Sequence, residues 1–393
     1  MGKFQFPGNY HDGEAIRINL KERMKIFFAG GGTGGPTAPL LAVAETLHKL
    51  RPQAKLFFVG TAKGVEKKFI QAENLPMEYL TIPAGKWRRY FSLWNIIDFF
   101  KTLYGFFKSL WLIGKYRPDV IFGAGSFVQV PVVWAGYLRH IPAVVHQQDV
   151  DPLLSTRLSA PFARVVTVSF NFTSKEFSNF SGLFKKVSKS KVVWTGNPVR
   201  RTVLGGSADK ARKIFNLNSD YPTVLVLGGG AGSLKLNRVV IEALPELIKY
   251  VQVIHSTGGR IPKGKRFDYP YYHEYNFLGQ ELKGAYAVAD LVVCRGGMST
   301  IAELSRLEKV AIIVPLPDSQ QEDNVRLLAH FKSAVGVFEE FFTSELLVQL
   351  VRKILWSKDM QEVLKNNIRK LMPVDADKQI AKLLIKLCEK DQK

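Results

Sequence analysis

The sequence predicts an α/β protein of two doubly wound parallel-sheet domains facing each other across a cleft. Three observations predict it. An apolar strand, a glycine loop and a helix follow one another between residues 24 and 47. Short apolar segments then alternate with helical ones up to about residue 200. The same strand, glycine loop and helix begin again at Thr223. Short apolar strands separated by helices argue for a parallel sheet covered on both faces.

A chain of 393 residues, 46% apolar, suits two domains with real cores. Cys294 and Cys388 are too few for a disulfide framework and fit a reducing compartment. Residues 1–23 mix polar and charged side chains without the apolar core of a signal peptide, and are read as an N-terminal extension. A net charge of +21 seeks anions: nucleic acid, acidic phospholipid or a phosphorylated substrate. With no zinc-ligand spacing and no recognition helix for DNA, no nucleic-acid partner is expected.

In chain order, residues 26–29 form the first buried strand. Gly30, Gly31, Gly32, Gly34 and Gly35 surround Thr33, Pro36 closes the loop, and a helical pattern opens at Pro39. Glycines let a backbone approach an anion, and a helix N-terminus adds free N–H groups and partial positive charge. Gly30, Gly32 and Gly35 also fit the dinucleotide spacing, but the next strand, 55–59, ends in Gly60-Thr61 without the acid that a nicotinamide nucleotide needs. Further strands are expected at 77–82, 119–122, 143–146, 165–168 and 192–194. The turn Gly196-Asn197-Pro198 marks the boundary, giving domains over 24–200 and 201–377. In the second, strand 223–227, glycine loop 228–232 and helix 234–247 are followed by strands at 251–254, 291–294 and 311–314. A last helix within 378–393 is expected to pack back across the boundary. Ligands of such sheets sit at the carboxyl ends of the strands.

Residues 87–115, from Trp87 to Lys115, stand apart. Leu93, Ile96, Ile97, Phe100, Leu103, Tyr104, Phe107, Leu110 and Trp111 form one helical stripe, Phe99 and Phe106 lie off it, and Lys86, Arg88, Arg89, Lys101, Lys108 and Lys115 flank it. Asp98, Lys101 and Lys108 would each cost about 2.5–3.5 kcal/mol near a bilayer centre, which disfavours a spanning helix. Two readings stand: a buried core helix, or a helix lying on an anionic membrane surface.

In the second half, Cys294-Arg295-Gly296-Gly297-Met298-Ser299-Thr300-Ile301-Ala302-Glu303 joins a strand to a helix whose N-terminus suits a diphosphate. Glu303 is either an acceptor for a ribose diol or a plain helix-surface acid. The paired amides Gln320 and Gln321 suit sugar hydroxyls and equally a solvated helix start.

Taken together and in order, GGGTGG with Pro39, His146-Gln147-Gln148, TGNPVR, LGGGAGS, CRGGMSTIAE and QQEDN resemble the MurG family of N-acetylglucosaminyltransferases, over roughly residues 24–370. The resemblance implies two Rossmann-like domains of the GT-B type. It implies UDP-N-acetylglucosamine as donor, an undecaprenyl-diphosphate muramyl-pentapeptide as acceptor, inversion at the anomeric carbon, and peripheral attachment to the cytoplasmic face of the cell membrane. It places Thr33, Gly34 and Gly35 on the acceptor side, and Asp149, Arg200 and Gly230 at the donor. It puts Leu278 by the uracil and Met298, Ser299, Thr300, Ile301 and Ala302 at the nucleotide and diphosphate. Glu303 falls to the ribose, and Gln320 and Gln321 to the N-acetylglucosamine.

The departures from the family pattern are specific. Pro36 stands where the family has the histidine that is its usual candidate base, Asp149 stands at the asparagine of HEQN, Gly230 replaces a serine, and the loop before Gln320 is short. Asp149, at the cleft end of a strand, is the substitute base candidate; a capping role for it is the alternative. Asp149-Val150-Asp151 has the form of a metal-nucleotide motif, but Asp375-Ala376-Asp377 shows how readily it arises, and no metal or other cofactor is expected. Two other readings remain: a GT-B enzyme acting on another membrane lipid, and a catalytically degenerate sugar-nucleotide-binding homologue.

Overall fold

The computed structural model describes residues 24–390 apart from 33, 63, 65, 74, 86–93, 174–186, 231 and 262–268. The N-terminal extension, Thr33 and the opening of the aromatic stretch, Trp87 included, lie outside the described residues.

The first sheet has seven parallel strands. In chain order they are β1 (Lys25–Ala29), β2 (Lys55–Gly60), β3 (Met77–Thr81), β4 (Val120–Gly123), β5 (Ala143–Gln147), β6 (Val165–Val168) and β7 (Val192–Trp194), and in space β3-β2-β1-β4-β5-β6-β7. The second has six: β8 (Thr223–Leu227), β9 (Gln252–Ser256), β10 (Tyr272–Tyr275), β11 (Leu291–Arg295), β12 (Ala311–Val314) and β13 (Val335–Gly336), in the order β10-β9-β8-β11-β12-β13. Strand order reverses beside β1 in one sheet and β8 in the other, so each glycine loop leaves its sheet at the switch point where ligands bind. The short edge strands β10 and β13 have no clear sequence signal.

Helices α1 (Gly34–Leu50), α2 (Glu66–Ala72), α3 (Trp94–Tyr116), α4 (Gln129–Leu138) and α5 (Leu154–Ser159) cover the first sheet. Helices α6 (Ala208–Ile214), α7 (Leu234–Leu247), α8 (Leu282–Val288), α9 (Met298–Leu307), α10 (Gln321–His330), α11 (Ser344–Leu355) and α12 (Lys358–Arg369) belong to the second. Both sheets are covered on two faces, which is why their inner strands read as nearly unbroken apolar runs. The last helix, α13 (Ala376–Lys390), returns to the first domain. Its Ile380, Ala381, Leu384, Ile385 and Cys388 join Leu40, Leu41 and Leu47 of α1 and Ile26 and Phe28 of β1 in one core. Thr46 Oγ1 donates to Asp377 at 2.5 Å on the same seam. The two passages of chain between the domains touch. A Cβ on Gly196 (φ 79°) would lie 2.6 Å from the carbonyl oxygen of Pro373, so only glycine fits there.

Helix α1 begins at Gly34, five residues before Pro39. Pro36 is tolerated because first-turn N–H groups have no helical partner. Pro39 has no N–H for the Gly35 carbonyl four residues back, and that oxygen accepts from Ser299 Oγ of the second domain at 3.1 Å.

Candidate active site

The first glycine loop is anchored from behind by a carboxylate. Gly31 and Gly32 have φ of 145° and 84°, backbone that a side chain rarely adopts. Glu66, fully buried at the start of α2, accepts from Gly32 N–H at 3.0 Å, Thr61 N–H and Thr61 Oγ1 at 2.8 Å each, and Tyr79 Oη at 3.1 Å. Burial opposes its ionisation, but these hydrogen bonds prevail and hold the carboxyl below its ordinary value. The acid missing from the end of β2 is thus supplied by the following helix, and it binds loop N–H rather than ribose. Glu66→Gln turns an amide NH2 toward the backbone N–H of either Gly32 or Thr61, neither of which can accept, and should destabilise the fold by about 1–3 kcal/mol at pH 7. A depressed carboxyl stabilises above its unfolded pKa and loses that contribution as pH falls through the folded one. The stability gap between wild type and variant in pH-dependent thermal denaturation should therefore close below about 4.5, the ordinary value. A gap that persists unchanged into acid would refute the anchoring role.

At the end of β5, His146 is wholly buried, with Nδ1 2.9 Å from Thr167 Oγ1 and Nε2 2.8 Å from Asn197 Oδ1. Burial pushes it down to about 4, so it stays neutral with both ring nitrogens engaged. Asp149 is buried too, which pushes its carboxyl up to about 6 against the hydrogen bond from Asn324. Asn324 Nδ2 donates to Asp149 Oδ1 at 2.9 Å and to the Gly296 carbonyl at 3.1 Å, while its Oδ1 accepts from Val150 N–H at 3.2 Å. This amide ties the β5 end of one domain to the β11–α9 loop of the other. Asp151 is exposed, so the two aspartates of the Asp-x-Asp motif sit in different environments.

Across the cleft, Gly296 and Gly297 lead into α9, which opens with Met298, Ser299 and Thr300. Ser299 and Thr300 are half-buried, and Ile301 and Ala302 pack into the core. Glu303, on the same helix, is not a surface acid. It is 6% exposed, and Tyr286 Oη donates to its Oε2 at 2.8 Å while Arg200 Nη2 donates to Oε1 at 3.4 Å. Arg200 reaches the other way to Glu73 Oε1 at 3.2 Å, at the end of α2. Burial works against the charge of Arg200, but the two carboxylates outweigh it and raise its pKa. Its Nε–H is buried with no partner among the described residues.

The second glycine loop faces the first. A Cβ on Gly34 would lie 3.3 Å from the ring of Phe69, and one on Gly230 would lie 3.9 Å from it, so this aromatic sits between the loops. Gly35 is exposed in the first turn of α1. Leu278 is buried while Phe277 stands 59% exposed. Gln321 Oε1 accepts from Leu316 N–H at 3.0 Å. Gln320 lines a cavity of about 620 Å³ that is walled by residues 151–157 of the first domain and 318–326 of the second.

The structure therefore gathers Gly34, Gly35, Asp149, Arg200, Gly230, the start of α9, Glu303 and Gln320 around one interdomain cleft; the side chain of Leu278 belongs to the core behind it. Sequence reasoning missed Glu66, Phe69, Glu73, Tyr286 and Asn324. Asn324 had a signal, as the last residue of QQEDN; the others are joined to the site only by long-range packing.

Helix α3 turns its apolar stripe outward. Of the stripe, Ile96, Ile97, Phe100, Leu103, Tyr104, Phe107 and Trp111 are exposed, between 42% and 63%, and Phe99 beside it is exposed as well, while Leu110 packs against the core. Its inward face carries Asp98, Gly105, Ser109 and Leu112. A Cβ on Gly105 would run into the carbonyl of Pro83, so the close approach selects small residues. The buried-core reading of the stripe is corrected: the helix is in contact with the domain through its other face. No described helix is long and apolar enough to cross a membrane.

Residues 26–168 match the glycosyltransferase family 28 N-terminal domain, and residues 223–383 the family 28 C-terminal domain. A UDP-N-acetylglucosamine–N-acetylmuramyl-(pentapeptide) pyrophosphoryl-undecaprenol N-acetylglucosamine transferase of Borrelia turicatae is 30% identical over 372 residues, covering 93% of this chain and 98% of that protein. The enzyme of the same name from Treponema denticola is 34% identical over 364 residues, covering 87% and 91%. The crystal structure of Acinetobacter baumannii MurG superposes with a TM-score of 0.68 at 23% identity, covering 93% of this chain and all of that one.

Proposed function

The chain belongs to glycosyltransferase family 28 and has its two-domain GT-B fold, and on that premise we propose the reaction and the part each residue plays. The protein transfers N-acetylglucosamine from UDP-N-acetylglucosamine to an undecaprenyl-diphosphate-linked muramyl-pentapeptide, the step that its relatives' names describe. The observation that carries this is the convergence of both sheets' switch points on one cleft, with Glu303, Arg200 and the N-terminus of α9 on the donor side.

Glu303 accepts the ribose hydroxyls, and the uracil lies by Phe277 and the backbone of Leu278. Met298, Ser299 and Thr300 present the N-terminus of α9 to the diphosphate, whose charge grows as UDP leaves. The unpaired Nε–H of Arg200 is a donor left for the ligand. Gln320, facing the cavity, and Gln321 hold the sugar. The acceptor enters by Thr33, Gly34 and Gly35, and its hydroxyl attacks the anomeric carbon with inversion. Asp149 takes the proton; His146, neutral and hydrogen-bonded through both nitrogens, is not placed to do so. The outward stripe of α3 rests on the anionic cytoplasmic face of the membrane, where the acceptor resides.

UDP release from UDP-N-acetylglucosamine should require the lipid-linked acceptor and should be unaffected by EDTA, because the N-terminus of α9 supplies the positive potential and Arg200 Nε–H a hydrogen-bond donor. Donor binding without acceptor-dependent release would overturn the transferase assignment, and activity restored by magnesium after EDTA would overturn metal independence.

A further inference from the structure

Tyr286, on α8, is the largest wholly buried side chain among the described residues. Its ring belongs to the core that also holds Phe215, Cys294, Ile301 and Leu304. A hydroxyl in such a core is costly unless it finds a partner. Here it donates to Glu303 Oε2, on the neighbouring α9, at 2.8 Å. Burial and the adjacent carboxylate push Tyr286 well above its ordinary value, so it keeps its proton and stays a donor.

The other carboxylate oxygen, Oε1, accepts from Arg200 at 3.4 Å. An ionised carboxylate offers about four acceptor positions, two on each oxygen. Tyr286 and Arg200 take one on each, and among the described residues no further donor reaches the group. One position is left on each oxygen, side by side, which is what two vicinal hydroxyls match. Arg200 cannot set this posture alone. Its bond to Glu303 is long, it is shared with Glu73, and the last torsion of a glutamate is broad.

We propose that Tyr286 is a positioning residue: its hydroxyl holds Glu303 with one acceptor position free on each oxygen, and so makes the donor site selective for an intact ribose diol over a deoxyribose. The inference rests on the assignment of Glu303 to the ribose. A deoxyribose would leave an acceptor of a 6% exposed carboxylate unmatched, and a site built to bond a hydroxyl rejects the analogue that lacks it.

The test uses the full chain and calorimetric titration with UDP, 2′-deoxy-UDP and 3′-deoxy-UDP. A hydrogen bond to a charged group is worth about 10–100-fold in affinity, and wild type should prefer UDP to either deoxynucleotide by about that factor. Tyr286→Phe keeps the ring in its core and removes only the hydroxyl. It should bind UDP about tenfold more weakly and the deoxynucleotides nearly as wild type does, so that the preference for ribose collapses. In turnover, the KM for UDP-N-acetylglucosamine should rise with kcat unchanged, the pattern of lost uniform binding. A variant that keeps the wild-type ratios would overturn the positioning role, including one that binds all three nucleotides equally weakly, as general damage to the core would make it. Wild type that prefers UDP to only one of the two deoxynucleotides would overturn the two-pronged posture without any variant. Wild type that binds all three alike would overturn the assignment of Glu303 to the ribose, and this inference with it.

Discussion

Asp149→Asn should lower turnover by about 10²–10⁴-fold, the usual contribution of a general base, while donor affinity stays unchanged. Asparagine has the same shape and still offers Oδ1 to Asn324 Nδ2, so the interdomain tie survives and only proton acceptance is removed. The pH dependence makes the test sharper. The buried carboxyl is raised to about 6, so the wild-type rate should climb with pH through that value and level off above it. A raised carboxyl also stabilises the fold while protonated and loses that contribution as pH rises from its ordinary 3.8 through about 6. The variant lacks this loss, and above pH 6 it should be the more stable protein, by a margin on the order of 2–3 kcal/mol. A slower and more stable enzyme is the combination that a base in a desolvated site predicts. Near-normal turnover by the variant would remove Asp149 from that role.

The second large effect is expected at Arg200. Arg200→Ala leaves Glu73 and Glu303 buried, their side chains 7% and 8% exposed, without the cation they share. Removing one partner of a buried ion pair typically costs about 3–5 kcal/mol, because an uncompensated charge remains. Thermal denaturation should show that loss, and the donor KM should rise, since Glu303 would no longer be held for the ribose. Arg200→Lys should not restore either quantity: one ammonium cannot span two carboxylates on two domains as the forked guanidinium does. Stability within about 0.5 kcal/mol of wild type, the range of ordinary surface substitutions, would show that the triad contributes nothing net.

The inner strands of both sheets were legible because double burial leaves no alternation, only apolar runs; the edge strands β10 and β13, short and without such a run, were not. The spatial order of the strands was not legible either, since nothing local in β1 says that β4 lies beside it. Glu303 was legible as a residue but not as an environment. Its burial depends on Tyr286 and Arg200, residues 17 and 103 positions away. Glu66 escaped because the dinucleotide pattern looks for an acid at the strand end, whereas here it arrives from the next helix. In α3 the period revealed a stripe but not which side meets the protein. A close-packed helix can turn glycine, serine and even Asp98 inward, and periodicity carries no information about the partner surface. Pro36 misled in another way: as a break between loop and helix it looked decisive, yet a first-turn proline costs the helix nothing.

The return of α13 bears on the birth of the molecule. The inner faces of β1 and α1 are sealed by residues 380–388, which leave the ribosome after every strand of both sheets. The first domain is therefore synthesised early but completed late, and until α13 emerges its seam is open apolar surface. Contacts of such sequence separation are slow to close. A nascent chain stalled before residue 376 should display an unsealed N-terminal domain beside a second domain that already has all its strands, the reverse of the usual order in which domains mature during translation.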